Sequence, residues 1–444
     1  MSGAHHRHRS FLKLIKLKVL AVLLAAPLLT ASCAVGPAGS VGYSIVWERT
    51  LVDGRQQLPR ALIRTSDGGY ALAGYGSVDL VPGGVGVSTG FWTIRLDRDG
   101  KMLWQRAFAA EAPKRREEAY TLTETRDGGL LVIGTTESDS LAGRPLGDSN
   151  DSRSATSSQV GFAIKYDSDG NLLWKKALDS AVGKPSDWFY AAASLEAGYI
   201  LAGKTMMQYN DPSTLSGQNV AWILRVLKLT DSGDVIWDRT VPDGKFSIRE
   251  ESISRKIVST PDGGFVIAVG PADRSYRNAR RMDIVSDTGK VMGQAAVQRV
   301  VMLKLDREGR VTKRSELPAA TEHLALGANA NGYIVSGYAN LLWYAFFDND
   351  LNLKWRRTVV EANRINAFYT APDGGFYGTG STSQLAIVHI SPTGEFRQQT
   401  IFGLPGDSEG RDIAPGDRPD ELVVLWSRIV RTRAGLMKLR VPVH

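Results

Sequence analysis

Past residue 43 the chain is written in short apolar stretches that alternate with polar positions, such as YALAG (70–74) and FVIAVG (265–270). Glycine interrupts them about every 10 to 15 residues. No stretch there keeps apolar residues at i, i+3 and i+4 over several turns, so the pattern predicts strands rather than helices. D-G-G, E-A-G and N-G lie between the stretches, and Gly there supplies the positive φ that tight hairpins demand.

The stretches form a recurring unit: a short strand, a D-G-G turn, a second strand, then an apolar strand ending in D-x-D-G with a Trp shortly after. The clearest copies are ALIRTSDGGYALAG (61–74) with FWTIRLDRDGKMLW (91–104), and AYTLTETRDGGLLVIG (119–134) with FAIKYDSDGNLLW (162–174). Weaker copies start at Tyr190, Ser254, Leu324 and Ala367, and Lys313 and Gln398 hold the Trp position in two of them. A last copy from Arg411 stops at GLMKLR (435–440), before any Trp strand. The missing piece lies at the other end of the chain, where SIVWERTL (44–51) carries Trp47. Six whole units, one lacking its fourth strand and one orphan fourth strand predict a seven-bladed β-propeller of four-stranded blades. The strand around Trp47 should then pair with residues 435–440. A β-sandwich, or two stacked β domains, is the alternative that short, evenly spaced strands also allow.

Residues 1–32 stand apart. Arg7, Arg9, Lys13, Lys16 and Lys18 precede the apolar run VLAVLLAAPLL (19–29), which has signal-peptide length and is too short to span a bilayer as a helix. LTASC (29–33) resembles the lipobox of bacterial lipoproteins, with Thr30 where Leu is usual, so ordinary cleavage or an uncleaved anchor are the alternatives. Cys33 is the only cysteine. No internal disulfide can form, and a thiol kept only here reads as the lipid attachment point. Ala34 follows it, which by resemblance to Gram-negative lipoproteins implies the outer membrane. Three segments are therefore expected: a signal peptide (1–32), a lipidated tether (33–42) and one propeller domain (43–444). Without the first 32 residues the chain holds 49 Lys and Arg against 46 Asp and Glu. That balance gives nucleic-acid binding little support.

Catalytic signatures are sparse. After residue 32 the histidines are His323, His389 and His444, with no H-x-x-x-H spacing, and Walker, dinucleotide and G-x-S-x-G motifs are absent. The D-x-D-G segments at Asp97, Asp167 and Asp306 look like the start of a calcium loop, but position 12 is Phe108 or Leu178 where a bidentate Glu is needed. Turns capped by Asp are the expectation. The pairs Glu117-Glu118 and Glu250-Glu251 fall in polar connecting segments and read as solvated surface.

The D-x-x-G-x-x-x-W element resembles the repeat of pyrroloquinoline-quinone propellers, where Gly and Trp tie adjacent blades. The D-G-G-Y/F-x-x-x-G element is more similar to tandem propeller repeats of bacterial secreted proteins and lipoproteins. Quinone dehydrogenases use adjacent cysteines, which this chain lacks, so no cofactor and no metal are expected. An eight-bladed outer-membrane-assembly lipoprotein shares only the class.

Extra length falls between second and third strands, at 77–90, 137–160, 205–219 and 271–299, so one face should carry four long loops. The fourth is basic: Arg274, Arg277, Arg280 and Arg281 surround Tyr276, a candidate site for an acidic ligand, a phosphate or an anionic glycan. MDIVSDTGKVMGQ (282–294) could add a hairpin. The reading is a monomeric, non-catalytic envelope module, held to the membrane by lipid, that takes a protein or glycan partner on this face. A lyase or glycoside hydrolase with its site over the central channel is the alternative.

Overall fold

The computed structural model describes residues 42–441 apart from 54–56, 79–87, 109–116, 138–158, 179–186, 211–217, 242–246, 255, 273–280, 286–290, 297–298, 320–322, 340, 360–363, 382–383, 401–406 and 429–432. Cys33, Arg274, Tyr276, Arg277 and Arg280 therefore lie outside the described residues, as does the side chain of Arg281.

Seven four-stranded antiparallel sheets follow one another around an axis. Blades 1 to 6 are continuous pieces of chain: 57–108, 117–178, 187–241, 247–318, 323–359 and 364–400. Blade 7 takes three strands from 408–440 and its outermost strand, Ser44–Asp53, from the other end of the chain. Trp47 pairs with Lys438 and Ser44 with Arg440, so the closure predicted from the orphan strand is present. Each blade is buried against its neighbours. Leu62, Tyr70 and Trp92 of blade 1, for example, share a cluster with Val423, Leu425 and Leu436 of blade 7.

The D-x-D-G segments are turns. Asp97 Oδ1 accepts the N–H of Asp99 at 2.9 Å and of Lys101 at 2.8 Å, and Asp167 does the same for Asp169 and Asn171. The closing Gly has a second role. A Cβ on Gly170 would lie 2.7 Å from the Trp104 ring of the preceding blade, and Trp174, Trp237, Trp355 and Trp47 crowd Gly233, Gly309, Gly394 and Gly100 in the same way. Each outer-strand Trp thus lies on the next blade's bare turn.

That rule explains both departures from the repeat. Lys313 replaces Trp where the next blade's turn carries Leu351 instead of Gly. Leu351 has φ 58° and is 1% exposed, packed with Met302 and Leu317 of blade 4. A left-handed non-Gly residue costs about 1–2 kcal/mol, which burial of the leucine side chain offsets. Gln398 replaces Trp where the next blade is the split one and has no such turn.

The D-G-G turns follow a second rule. Each Asp caps its own turn and meets a basic residue from the third strand: Asp67 with Arg95 at 2.9 Å, Asp127 with Lys165 at 2.9 Å, Asp262 with Lys304 at 3.3 Å and Asp373 with His389 at 3.0 Å. Partial burial pushes the Asp67 carboxyl up, but the Thr65 hydroxyl, the Gly69 N–H and the Arg95 guanidinium outweigh it and hold the group at about 2. A folded-state value below the unfolded 3.8 means this stabilisation is present above pH 4 and is lost as pH falls from about 4 toward 2. Asp67→Asn should therefore be less stable than the parent at pH 7, and thermal melts should show the gap closing at acid pH. A gap that persists unchanged at pH 2 would refute the charge-based account.

Candidate channel-mouth site

The innermost strands of all seven blades line a central channel of about 520 Å³, within the range of small-molecule sites. Its two ends differ. The D-G-G and D-x-D-G turns surround one end. The connections between second and third strands, and those between blades, surround the other.

The second end is lopsided. In blade 3 part of the insertion lengthens the strands themselves. Tyr199–Asn210 and Gln218–Leu229 pair over their whole length, from Tyr199↔Leu229 to Asn210↔Gln218. In blade 4 the expected extra hairpin forms, Arg281–Val285 with Val291–Ala296. Blades 5 and 6 have only residue 340 and residues 382–384 between the corresponding strands. Blades 3 and 4 thus add paired strand on this face, where blades 5 and 6 add almost no length.

A feature that sequence reading missed sets the side chains at this end. Five innermost strands carry one extra residue at an equivalent point, where register slips by one: Arg60, Tyr120, Tyr190, Asn366 and Arg411. Bulges re-aim side chains and are common beside binding sites. At four of the five bulges, in blades 1, 2, 3 and 6, the bulged strand is answered by the glycine that ends the repeat's second strand. The bulge tips a carbonyl toward the second strand, and a Cβ on Gly74, Gly134, Gly203 or Gly380 would lie 2.2, 1.9, 1.8 or 1.9 Å from that oxygen. The signal was therefore in the repeat: a Gly at a strand position where no turn needs it.

In blade 4 the irregularity is larger. The innermost strand was expected to begin at Ser254. It runs instead as Ser247–Ile253 and Val258–Ser259, because Ile253 pairs with Val269 but Val258 with Val266. The Ser254 N–H donates to the Ala268 carbonyl at 2.9 Å across the break. Lys256 lies in this break and reaches across the channel, donating to the Phe368 carbonyl at 3.1 Å and pairing with Asp412 at 3.2 Å. Asp412 also accepts the Leu62 N–H at 2.9 Å, so a charged bar joins blades 4, 6, 7 and 1.

The bulged residues link blade to blade. The Arg60 guanidinium donates to the Tyr75 hydroxyl at 2.7 Å and lies 5.2 Å from that ring and 5.7 Å from the Tyr120 ring. Burial pulls the Arg60 pKa down, but Tyr75, Tyr120 and Glu118 outweigh it and hold it above its ordinary value. Tyr120 meets Tyr190 edge-on at 4.9 Å, and Lys204 lies 4.4 Å from the Trp188 ring. On the opposite side Asn366 donates to the Gly410 carbonyl at 2.6 Å. Glu409, 1% exposed, is clamped by Arg364 and Arg411, and His323 Nε2 lies 3.3 Å from Arg364.

The expectation that Glu117 and Glu118 are solvated surface is wrong. Both begin the innermost strand of blade 2. Glu117 is 1% exposed and accepts the Thr136 hydroxyl at 3.0 Å, and Glu118 accepts the Tyr120 hydroxyl. They read as connecting segment because their strand begins only two residues before the apolar alternation. Buried acids of this kind hold strand starts together here. Asp187 does so in blade 3, 3.1 Å from the buried Arg225.

No protein-family model matches the chain, and no curated protein matches it in sequence. Among solved structures, a streptogramin B lyase superposes with a TM-score of 0.51 at 11% identity, over 90% of this chain and 99% of that one. A chain of a mitotic checkpoint complex superposes with a TM-score of 0.50 at 13% identity, over 96% of this chain and 99% of that one. At such identities the likeness is one of fold: the chain is a seven-bladed β-propeller.

Proposed function

We propose that this propeller is a non-catalytic binding module of the cell envelope that receives a protein or glycan partner on its long-loop face and is held to the outer membrane by lipid on Cys33. The observation that carries the reading is the paired strand that blades 3 and 4 add between their second and third strands. Ordered extensions of paired strand cost conformational entropy and add nothing to the propeller core, so their presence points to use. The carboxylates near the mouth support a binding role. Glu409 and Asp412 are taken up by cations and a hydrogen bond from other blades, and Glu117 accepts the Thr136 hydroxyl within blade 2, which leaves them poorly placed for acid–base work.

Two experiments test the reading. Cys33→Ser should abolish labelling by a fatty-acid analogue and release the protein from the membrane fraction; labelling that persists would end the lipoprotein assignment. Arg277→Glu combined with Arg280→Glu should leave the circular dichroism spectrum intact and cut recovery of envelope partners about tenfold, the loss of one or two charge-assisted contacts. Recovery at the parent level, with loss on altering the short-turn face instead, would place the partner on the wrong side.

A further inference from the structure

The channel itself has a chemistry that the long-loop partner does not explain. Its wall carries three cationic side chains, Arg60, Lys256 and Arg411, against the single carboxylate of Asp412. Lys256 is matched to Asp412, and Arg411 to Glu409 behind the wall. Arg60 makes no direct ion pair among the described residues, and the Glu118 carboxylate acts on it only at longer range. Among the described residues its one hydrogen bond goes to the neutral Tyr75 hydroxyl, and its Nε is buried with no acceptor. That buried Nε is an unmet donor at the channel wall, of the kind that a bound acceptor would satisfy. The bulge is what brings it to the channel wall. Nearer the short turns, blade 3 adds Ser194, whose hydroxyl is also buried with no hydrogen-bond partner among the described residues. Thr121 and Asn366 add further polar groups to the lining.

We infer that the channel is a binding site for a small anion bearing carboxylate or phosphate groups, held at its long-loop end by the Arg60 guanidinium with Lys256 as a second cation. A planar, forked donor set suits both oxyanions. The two Tyr rings that flank Arg60 hold its guanidinium in place at the channel wall. The volume of about 520 Å³ admits a metabolite-sized molecule, and equally an acidic side chain inserted by a bound partner. The inference stands on the channel alone and holds whether or not the long-loop face or the lipid anchor is as proposed above.

The test is isothermal titration calorimetry on the purified full chain at low ionic strength, with citrate and inorganic phosphate as separate probes. Saturable binding of either supports the site, and the probe that binds names its chemistry. Asp412→Asn keeps an acceptor for the Leu62 N–H but removes the competing charge beside Lys256, and should tighten binding several-fold. Arg60→Met should weaken it about tenfold or more, the loss of a charge-assisted hydrogen bond. Should Arg60→Met fail to fold, Asp412→Asn still decides, because a structural role for the ion pair predicts no gain in affinity. The inference is overturned if neither probe binds saturably, if Asp412→Asn binds no more tightly than the parent, or if folded Arg60→Met binds as well as the parent.

Discussion

Deleting residues 43–51 should abolish cooperative folding of the propeller. The strand supplies the entire outer edge of blade 7 and is paired from Ser44↔Arg440 to Asp53↔Arg433. Its Trp47 packs with Leu51 against the cluster shared by blades 7 and 1 and crowds Gly100 of blade 1. The Lys438 ammonium lies 5.5 Å from the Trp47 ring. Loss of the tryptophan alone would cost about 3–5 kcal/mol. Loss of the strand adds its ladder hydrogen bonds at about 1 kcal/mol each and opens the ring where blade 7 meets blade 1. Together these reach the whole stability of a typical domain, about 5–15 kcal/mol. Calorimetry of the deletion variant should show no cooperative unfolding transition. A melting temperature within a few degrees of the parent would mean that the remaining six and three-quarter blades hold themselves, and that closure is not what secures the ring.

Gly203→Ala should destabilise far more than glycine-to-alanine changes at the turns. A Cβ there would sit 1.8 Å from the Trp188 carbonyl oxygen and 2.7 Å from the Phe189 Cα, both backbone atoms, so the bulge at Tyr190 must flatten or the strands must part. A cost of about 3 kcal/mol or more is expected, at the upper end for overpacking. Gly128→Ala is the comparison. Gly128 has φ 76° but nothing within 4 Å of a new Cβ, so only the left-handed penalty of about 1 kcal/mol applies. Urea denaturation of the two variants should separate them by about 2 kcal/mol. The tyrosine cluster gives a second readout, because flattening the bulge withdraws Tyr190 from Tyr120 and should alter the near-ultraviolet circular dichroism of Gly203→Ala alone. Equal stabilities would show that the terminal glycine of the repeat answers to something other than the bulge.

The repeat made the architecture legible because its determinants are local. A D-G-G turn, an Asp capping the next two or three N–H groups and an alternating strand each act within a dozen residues. Copying them along the chain leaves only the count of strands to be closed into a ring. The D-x-D-G segments could be told from calcium loops for the same reason: the Asp97 carboxylate is spent on the N–H groups of Asp99 and Lys101. The exceptions at Lys313 and Gln398 made sense only in three dimensions. The partner of each outer-strand Trp is a turn in the next blade, far along the chain, as with the Trp104 indole, which donates to the Ser168 carbonyl at 2.8 Å.

The sequence by itself determined the blades, their order, the shared closure and the face on which extra length emerges, since all of these follow from turn chemistry and strand periodicity. Only the tertiary structure decided which side chains converge on the axis. Alternation specifies which face of a strand is buried, but a bulge breaks alternation at one residue, and three of the five bulged residues, Arg60, Asn366 and Arg411, line the channel. The contacts made around the channel join parts of the chain with no local relation. Lys256 meets Asp412 from three blades away, and Asp412 reaches Leu62 over a separation of 350 residues. Such meetings depend on the ring having closed, and no pattern within a single repeat can encode them.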